Sequence, residues 1–329
     1  MEARGIGRTG GAGPISLRVS VTDRCSLRCL FCMPAEGMEK FPRAEILRYE
    51  EVHRFIRLVR GRFGLAKVRI TGGEPLARKG IVGFVEMLAG EGLEDLAMTT
   101  NGQALAPLAA DLKRAGLRRV NISLYTLDPR TFEHLTRGGD LARTMEGIEA
   151  ALRAGLAPVK TNTIVLRGVN DGEVGTIARF GIERGIEARF IELMPVGPAA
   201  ARHKEWFVPA SEIMARLREG LRLQPLPPRR GASATRYEAR DGDGNLGVVG
   251  VIPSFTEPFC GECNRLRLTA DGRLVGCLAA DGATPIAPLL REAGAASDER
   301  ILETASDVLE RKRARRGFWS GRYMARTGG

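Results

Sequence analysis

Residues 17–34 read LRVSVTDRCSLRCLFCMP, and their order decides how the rest of the chain is parsed. Arg18 and Ser20 alternate with Leu17, Val19 and Val21, which is the two-residue period of a β-strand. The run passes straight into a loop carrying Cys25, Cys29 and Cys32, three of the six cysteines of the chain. A helical pattern follows at residues 49–60. A loop between a strand and the next helix lies at the C-terminal end of a sheet, where βα architectures gather their chemistry.

The same unit recurs along the chain. Strand-like runs at 16–21, 67–70, 96–99, 120–123, 159–165 and 188–193 alternate with helix-like stretches at 49–60, 80–88, 105–115, 143–154 and 171–183. Six units are readable, short of the eight of a closed barrel, so the expected class is α/β with an incomplete (βα)6 TIM-type barrel. Residues 221–236, LRLQPLPPRRGASATR, read as a loop or linker. Beyond them come short segments punctuated by Gly and Pro, then a last helix near 301–312. The division expected is a barrel domain over 1–225 and a smaller C-terminal domain over 226–329 that caps the barrel's open side.

Several strands carry a face that a packed barrel interior would lack. Alternation sets Arg18 with Ser20, Lys67 with Arg69 and Thr71, Asn121 with Ser123, and Lys160 with Asn162. One such strand would be a solvated end; four point to a lumen lined for a polyanion. The net charge of +11 over 329 residues agrees with an anionic partner, although arginine-rich usage also follows from genomic base composition. No apolar run approaches the roughly 20 residues of a membrane span. The first residues lack the apolar segment of a signal peptide, so a cytoplasmic location is expected. Six cysteines are too sparse for a disulfide scaffold and favour metal or catalytic roles.

The cysteine spacing narrows the metal. Structural zinc takes four ligands, and His53, His134 and His203 all lie far from the triplet in sequence. An iron–sulfur cubane takes one thiolate per iron, so three cysteines leave one iron open to a small molecule. Zinc with a remote fourth ligand is the alternative. A second set, Cys260, Cys263 and Cys277, again supplies three thiolates across a turn at Asp271-Gly272. Between them Arg265 and Arg267 share one strand face. A zinc-ribbon fragment would explain those cysteines but not the paired arginines.

Cys25, Cys29, Phe31 and Cys32, followed by the turn Gly72-Gly73-Glu74-Pro75, resemble the radical S-adenosylmethionine superfamily. Nearly the whole chain, from LRVSVTDRC through KVRITGGEPL, TTNG, RRVNISLYTLD, VKTNTIVLRGVND and ARFIELMPVG to the second cysteine set, resembles the molybdenum-cofactor biosynthesis protein A family, the GTP 3′,8-cyclases. The resemblance implies S-adenosylmethionine and two [4Fe-4S] clusters as cofactors, the first on Cys25, Cys29 and Cys32 and the second on Cys260, Cys263 and Cys277. It assigns Phe31, Gly72, Gly73, Glu74, Ser123 and Met194 to S-adenosylmethionine, the turn glycines letting the backbone approach the ligand closely. It assigns Arg18, Lys67, Arg69, Thr100, Lys160, Arg189, Arg265, Leu266 and Arg267 to GTP, with Lys67 and Arg189 near its phosphates and Arg265 and Arg267 sharing in catalysis.

The implied reaction is the first step of molybdenum cofactor biosynthesis. A 5′-deoxyadenosyl radical removes hydrogen from C3′ of GTP, and C3′ attacks C8 to give (8S)-3′,8-cyclo-7,8-dihydroguanosine 5′-triphosphate. The second cluster holds the guanine. Implied partners are an electron donor such as a flavodoxin or ferredoxin and a downstream cyclic pyranopterin monophosphate synthase. No membrane or nucleic acid is expected, and a homodimer is left open. Phe31 stands where many members carry tyrosine, and Thr327 where an aliphatic residue is usual. The terminal Gly328-Gly329 is expected either to thread toward the lumen or to be a disordered chain end, and the basic stretch 311–316 is read as a solvated helix end. A radical enzyme acting on RNA would need an RNA-binding module, and a radical peptide-modifying enzyme a richer C-terminal cysteine set.

Overall fold

The structure, a computed structural model, describes residues 14–229, 231–279 and 282–314. The Gly328-Gly329 tail, Thr327 and the arginines at 315 and 316 lie outside the described residues. The first part of the chain runs β1 (Ile15–Ser20), α1 (Tyr49–Phe63), β2 (Leu65–Thr71), α2 (Ile81–Ala89), β3 (Asp95–Thr100), α3 (Ala109–Arg114) and β4 (Arg119–Ser123). It continues through α4 (Pro129–Thr136), α5 (Leu141–Arg153), β5 (Lys160–Ile164), α6 (Val174–Glu183) and β6 (Glu187–Ile191). Then follow α7 (Ala199–Trp206), α8 (Ala210–Arg218), β7 (Arg222–Pro225), β8 (Thr235–Arg240) and β9 (Leu246–Ile252). The last elements are β10 (Arg265–Leu268), β11 (Arg273–Val275), β12 (Thr284–Pro285), α9 (Ala287–Arg291) and α10 (Ala295–Ala314).

β1 to β6 lie side by side in chain order and all parallel. β1 and β6 do not meet. Each is instead extended by C-terminal strands: β10 pairs parallel with β1 and leads antiparallel to β11 and β12, while β9 pairs parallel with β6 and leads antiparallel to β8 and β7. The result is one open α/β sheet, and the C-terminal part of the chain lengthens it at both edges.

Alternation buries one strand face against the helices. Leu17 and Val19, Val68 and Ile70, Leu96 and Met98, and Val120 and Ile122 pack with Val52, Phe55, Ile56 and Val59 of α1 and their neighbours. A second apolar cluster joins α6 and α8 to β6 and β9 through Ile177, Ile213, Leu217, Phe190 and Val249. The stretch 221–236 is therefore not all linker. It contains β7, whose Leu223 packs on this second cluster while Arg222 and Gln224 stay exposed, as suits an edge strand ending in Pro225. The helix α4 was also outside the sequence reading, although Asp128 accepts from Thr131 N at 2.7 Å and Pro129 follows it, an ordinary helix start. No helix among the described residues is long and apolar enough to cross a membrane.

Candidate active site

Register across parallel strands sets the polar face in transverse rows. One row runs from Arg267 on β10 through Arg18 on β1, Arg69 on β2 and Ala97 on β3 to Arg119 on β4. A row nearer the strand starts holds Arg265, Ser16, Lys67 and Asp95. Farther along the sheet, Asn121, Lys160 and Glu187 form a third row, and Ser123, Asn162 and Arg189 a fourth that continues through Gly250 to Arg236. A Cβ on Gly250 would stand 3.3 Å from Arg189 Cγ, so the glycine leaves room for that side chain. All the cations expected to meet GTP thus share one face. Thr100 and Leu266 do not present side chains there: the Thr100 hydroxyl donates to Glu74 at 2.7 Å, and Leu266 is fully buried in the apolar core.

Asp95 and Glu187 share this face with the cations. Asp95 pairs with Lys67 at 3.1 Å and Arg119 at 2.7 Å, and Glu187 with Lys160 and Arg189 at 2.6 Å and Arg236 at 3.5 Å. Along the arginine row the cations also act on one another. Burial pushes Arg18 down, and Arg267, Arg69 and Arg265 push it further. Burial with Arg119, Arg189 and Arg265 lowers Arg69 to about 9, and burial with Arg265 lowers Arg267 to about 10. A guanidinium stays charged in proteins, so these cations repel one another where the dielectric is low. The buried Arg69 Nε, Asn121 Nδ2 and Asn162 Oδ1 have no hydrogen-bond partner. Each such group costs about 1–3 kcal/mol. A polyanion lying on these strands would answer both costs.

The two cysteine sets stand at opposite ends of this face. Cys25, Cys29 and Cys32 follow the C-terminal end of β1. Cys260 and Cys263 precede β10, which runs parallel to β1, and Cys277 follows β11, which runs back. The six residues of β1 at about 3.3 Å each put the ends on the order of 20 Å apart.

In the first set, Cys32 N and Met33 N donate to Cys29 O at 2.8 and 3.2 Å, which curls the loop. Leu27 N and Asn101 Nδ2 donate to Cys25 Sγ at 3.4 and 3.8 Å. Burial pushes Cys25 up to about 11, and it raises Cys29 well above its usual value, with Cys32 and Cys25 adding to the effect. Phe31 is buried edge-on against Tyr125, ring centres 5.0 Å apart. Met194 lies just past β6 at the same end of the sheet.

The glycine turn packs closely on the cysteine loop. Gly73 N donates to Thr22 O at 2.6 Å and Glu74 N to Arg24 O at 2.7 Å. A Cβ on Gly73 would stand 2.4 Å from Arg24 O, and one on Gly72 2.9 Å from Thr22 O. What the glycines admit is the main chain of the cysteine loop. Gly73→Ala is expected to displace that loop at a cost of about 1–3 kcal/mol. An unchanged melting temperature of the metal-free protein would refute this. The Glu74 carboxylate is a brace within the fold. It accepts from Leu76 N at 3.1 Å, Thr100 Oγ1 at 2.7 Å and Asn101 N at 2.7 Å, and burial pushes it up to about 7.

In the second set, Arg265 lies over the Phe259 ring at 4.4 Å. Burial pushes Cys263 up, but Arg265 and Lys312 outweigh it and hold the thiol below its ordinary value. Lys312 Nζ donates to Cys263 Sγ at 3.1 Å and to Arg265 O at 2.5 Å. The basic end of α10 is therefore not simply solvated: Lys312 turns inward. Gly276 allows it, since a Cβ there would stand 3.2 Å from both Lys312 Cβ and Val308 O.

Among the described residues, no three His, Cys, Asp or Glu side chains converge on one point that a metal ion would occupy. Ligands about 2.3 Å from a single zinc lie within about 4 Å of each other, whereas cubane thiolates each meet a separate iron. Three thiols at each end, none in a disulfide, with N–H donors or cations beside the sulfurs, are a donor set that fits such a cluster. His53 is occupied by Glu91 at 2.7 Å and His203 by Leu193 O at 2.9 Å.

Residues 19–181 match the family model of the Radical SAM superfamily, and residues 186–318 that of Molybdenum Cofactor Synthesis C. The GTP 3′,8-cyclase of Pelotomaculum thermopropionicum is 44% identical over 321 residues, covering 95% of this chain and 97% of that protein. The chain belongs to the GTP 3′,8-cyclase family of radical SAM enzymes. The GTP 3′,8-cyclase of Heliobacterium modesticaldum is 50% identical over 264 residues, 80% of each chain. Streptococcus suis SuiB bound to S-adenosylmethionine shares the fold, with a TM-score of 0.61 and 15% identity over 92% of this chain and 68% of SuiB.

For a member of the GTP 3′,8-cyclase family, the face holds residues that motifs did not single out. Arg119 alternates with Asn121 and Ser123, and Glu187 with Arg189, so their signal was present in the strand period. Asp95 was hidden by Ala97 in the next inward position. Arg236 comes from a hairpin taken for linker. Asn101 and Tyr125 sit just past strand ends, and Lys312 is 49 residues from its cysteine, beyond any local pattern.

Proposed function

We propose that the protein converts GTP to (8S)-3′,8-cyclo-7,8-dihydroguanosine 5′-triphosphate, the first step of molybdenum cofactor biosynthesis. The observation that carries this reading is the row Arg267–Arg18–Arg69, with Arg267 buried and Arg18 and Arg69 partly buried, mutually repelling and lying between two three-cysteine sets. Cys25, Cys29 and Cys32 would hold one [4Fe-4S] cluster, and Cys260, Cys263 and Cys277 another. When bound, the first cluster and S-adenosylmethionine supply the radical that takes the C3′ hydrogen of GTP, chemistry beyond side-chain acids and bases.

The chain's own residues position the reactants. Phe31 and the Gly72-Gly73 main chain adjoin the first set, Ser123 and Met194 lie at the same end of the sheet, and together they would seat S-adenosylmethionine, with Glu74 bracing the turn from behind. Arg18, Lys67, Arg69, Lys160 and Arg189 would clamp the triphosphate, holding C3′ in one orientation. Arg265 and Arg267, with the main chain of Leu266, would direct the guanine toward the second set, and Thr100 would contribute main chain. The six parallel strands would curl as a partial barrel, with the C-terminal part beyond residue 225 covering its opening. A flavodoxin or ferredoxin would supply the electron, and a cyclic pyranopterin monophosphate synthase would consume the product.

The test is anaerobic protein reconstituted with iron and sulfide, then given S-adenosylmethionine, dithionite and GTP. Mass spectrometry should find 5′-deoxyadenosine together with a cyclised nucleotide isomeric with GTP, and ATP should give no cyclised product. 5′-Deoxyadenosine without any nucleotide product would sink the assignment.

Lys160 adds a pH dependence. Burial and Arg189 lower it to about 8, against Glu187. In the ligand-free protein this lowered value costs stability below pH 8, which is regained as pH rises toward the usual lysine value near 10.4. A phosphate beside it would raise it again, so binding takes up a proton above pH 8, and affinity should fall there by up to about tenfold per pH unit. Calorimetric titration with GTP at pH 8.5 in buffers of different ionisation heat reports the uptake directly. Lys160→Met should abolish it, and no uptake in the parent protein would count against the contact.

A further inference from the structure

Lys312 lies outside the reaction described above, yet α10 delivers it to the second cysteine set. Its Nζ is 2.5 Å from Arg265 O and 3.1 Å from Cys263 Sγ. A lysine ammonium has three donors; one is spent fixing it to a main-chain carbonyl, and another points at sulfur. The carbonyl belongs to the first residue of β10, from which Arg265 and Arg267 project. The same contact therefore joins the cysteine, the start of the arginine strand and the C-terminal helix. Close packing at Gly276 holds the helix where this reach is possible. Charged groups that act on Lys312 include Cys263 and Cys277, which favour the cation, and Arg265, which opposes it.

We propose that Lys312 is a positioning residue for the second cluster: it donates to Cys263 Sγ and stabilises the reduced, more negative state of the cluster held there. The inference rests on the reading that Cys260, Cys263 and Cys277 bind a cluster. Hydrogen bonds to cluster sulfurs and nearby positive charge both raise the reduction potential. Removing Lys312 removes the two together.

The experiment uses full-length protein carrying Cys25→Ala, Cys29→Ala and Cys32→Ala, so that iron is bound only by the second set, and it needs neither GTP nor turnover. The midpoint potential of that cluster is read by spectroscopically monitored redox titration. Lys312→Met is expected to make reduction at least about tenfold less favourable, which is 59 mV for a one-electron couple. Lys312→Arg keeps a charge and donors and should stay close to the parent. Should Lys312→Met fail to take up iron while Lys312→Arg loads and both melt cooperatively, the positioning role stands. Equal potentials in the methionine variant and the parent, both fully loaded, overturn it, as does equal failure of both variants to load. Absence of iron from the parent itself would instead remove the cluster reading beneath the proposal.

Discussion

Replacing Cys25, Cys29 and Cys32 together by alanine is expected to abolish S-adenosylmethionine cleavage while the second cysteine set keeps its iron. The loss should be complete, because the three thiols are the soft ligands at the C-terminal end of β1, and neither Asn101 nor the Leu27 amide can replace a thiolate. The fold should survive. The loop is tied down by main-chain bonds, Gly73 N to Thr22 O and Glu74 N to Arg24 O, which alanine leaves intact. Iron per chain should fall by about half, since each set would hold one cluster. The measurement is 5′-deoxyadenosine by chromatography alongside iron and sulfide content. Continued formation of 5′-deoxyadenosine by the triple variant would show that the radical source lies elsewhere.

The second large effect is expected from Arg265→Ala with Arg267→Ala. Charge-assisted contacts are worth about 1.5–3 kcal/mol each, so GTP binding should weaken by about tenfold or more per arginine. The ligand-free protein should respond in the opposite sense. Arg267 and Arg265 are among the neighbours that push Arg18 down, so removing them relieves repulsion and the variant should melt no lower than the parent. A residue needed only for folding would behave the other way. Cleavage of S-adenosylmethionine should persist while no cyclised nucleotide forms. The parent should prefer GTP to ATP, since adenine lacks the exocyclic oxygen and the N1 proton of guanine. Calorimetry with both nucleotides and thermal melts of both proteins give the comparison. Equal affinity for GTP and ATP, or unchanged GTP affinity in the double variant, would reopen RNA or a peptide as the substrate.

Much of the site was legible because strand chemistry is local. Side chains two apart share a face, so Arg18, Lys67, Arg69 and Lys160 could be placed together from their own strands, while Arg189 came from the resemblance, and the structure puts all five on one face. The cysteine loop could be placed at a sheet end because a strand leads into it and α1 follows. The turn at Asp271-Gly272 is present, with Gly272 at φ 74° between β10 and β11. Thr100 and Leu266 show the limit. Both were assigned by motif, and their side chains are claimed by Glu74 and by the core.

What the sequence by itself determined is therefore whatever depends on period and spacing: the βα units, the polar face of each strand, the two cysteine triplets and the family. Tertiary structure alone decided the partners across distance. It set β10 beside β1, so that Arg267 and Arg265 each extend a row begun on other strands, and it placed the cysteine triplets at opposite ends of the strands that carry those rows. It turned the glycine turn toward the main chain of the cysteine loop and brought Lys312 of α10 to Cys263. The physical reason is one of range. Backbone sterics and side-chain alternation act over a few residues and are written in the local pattern. Register between strands far apart in the chain, and the direction in which a helix end packs, follow from which apolar faces bury each other once the whole sheet has assembled.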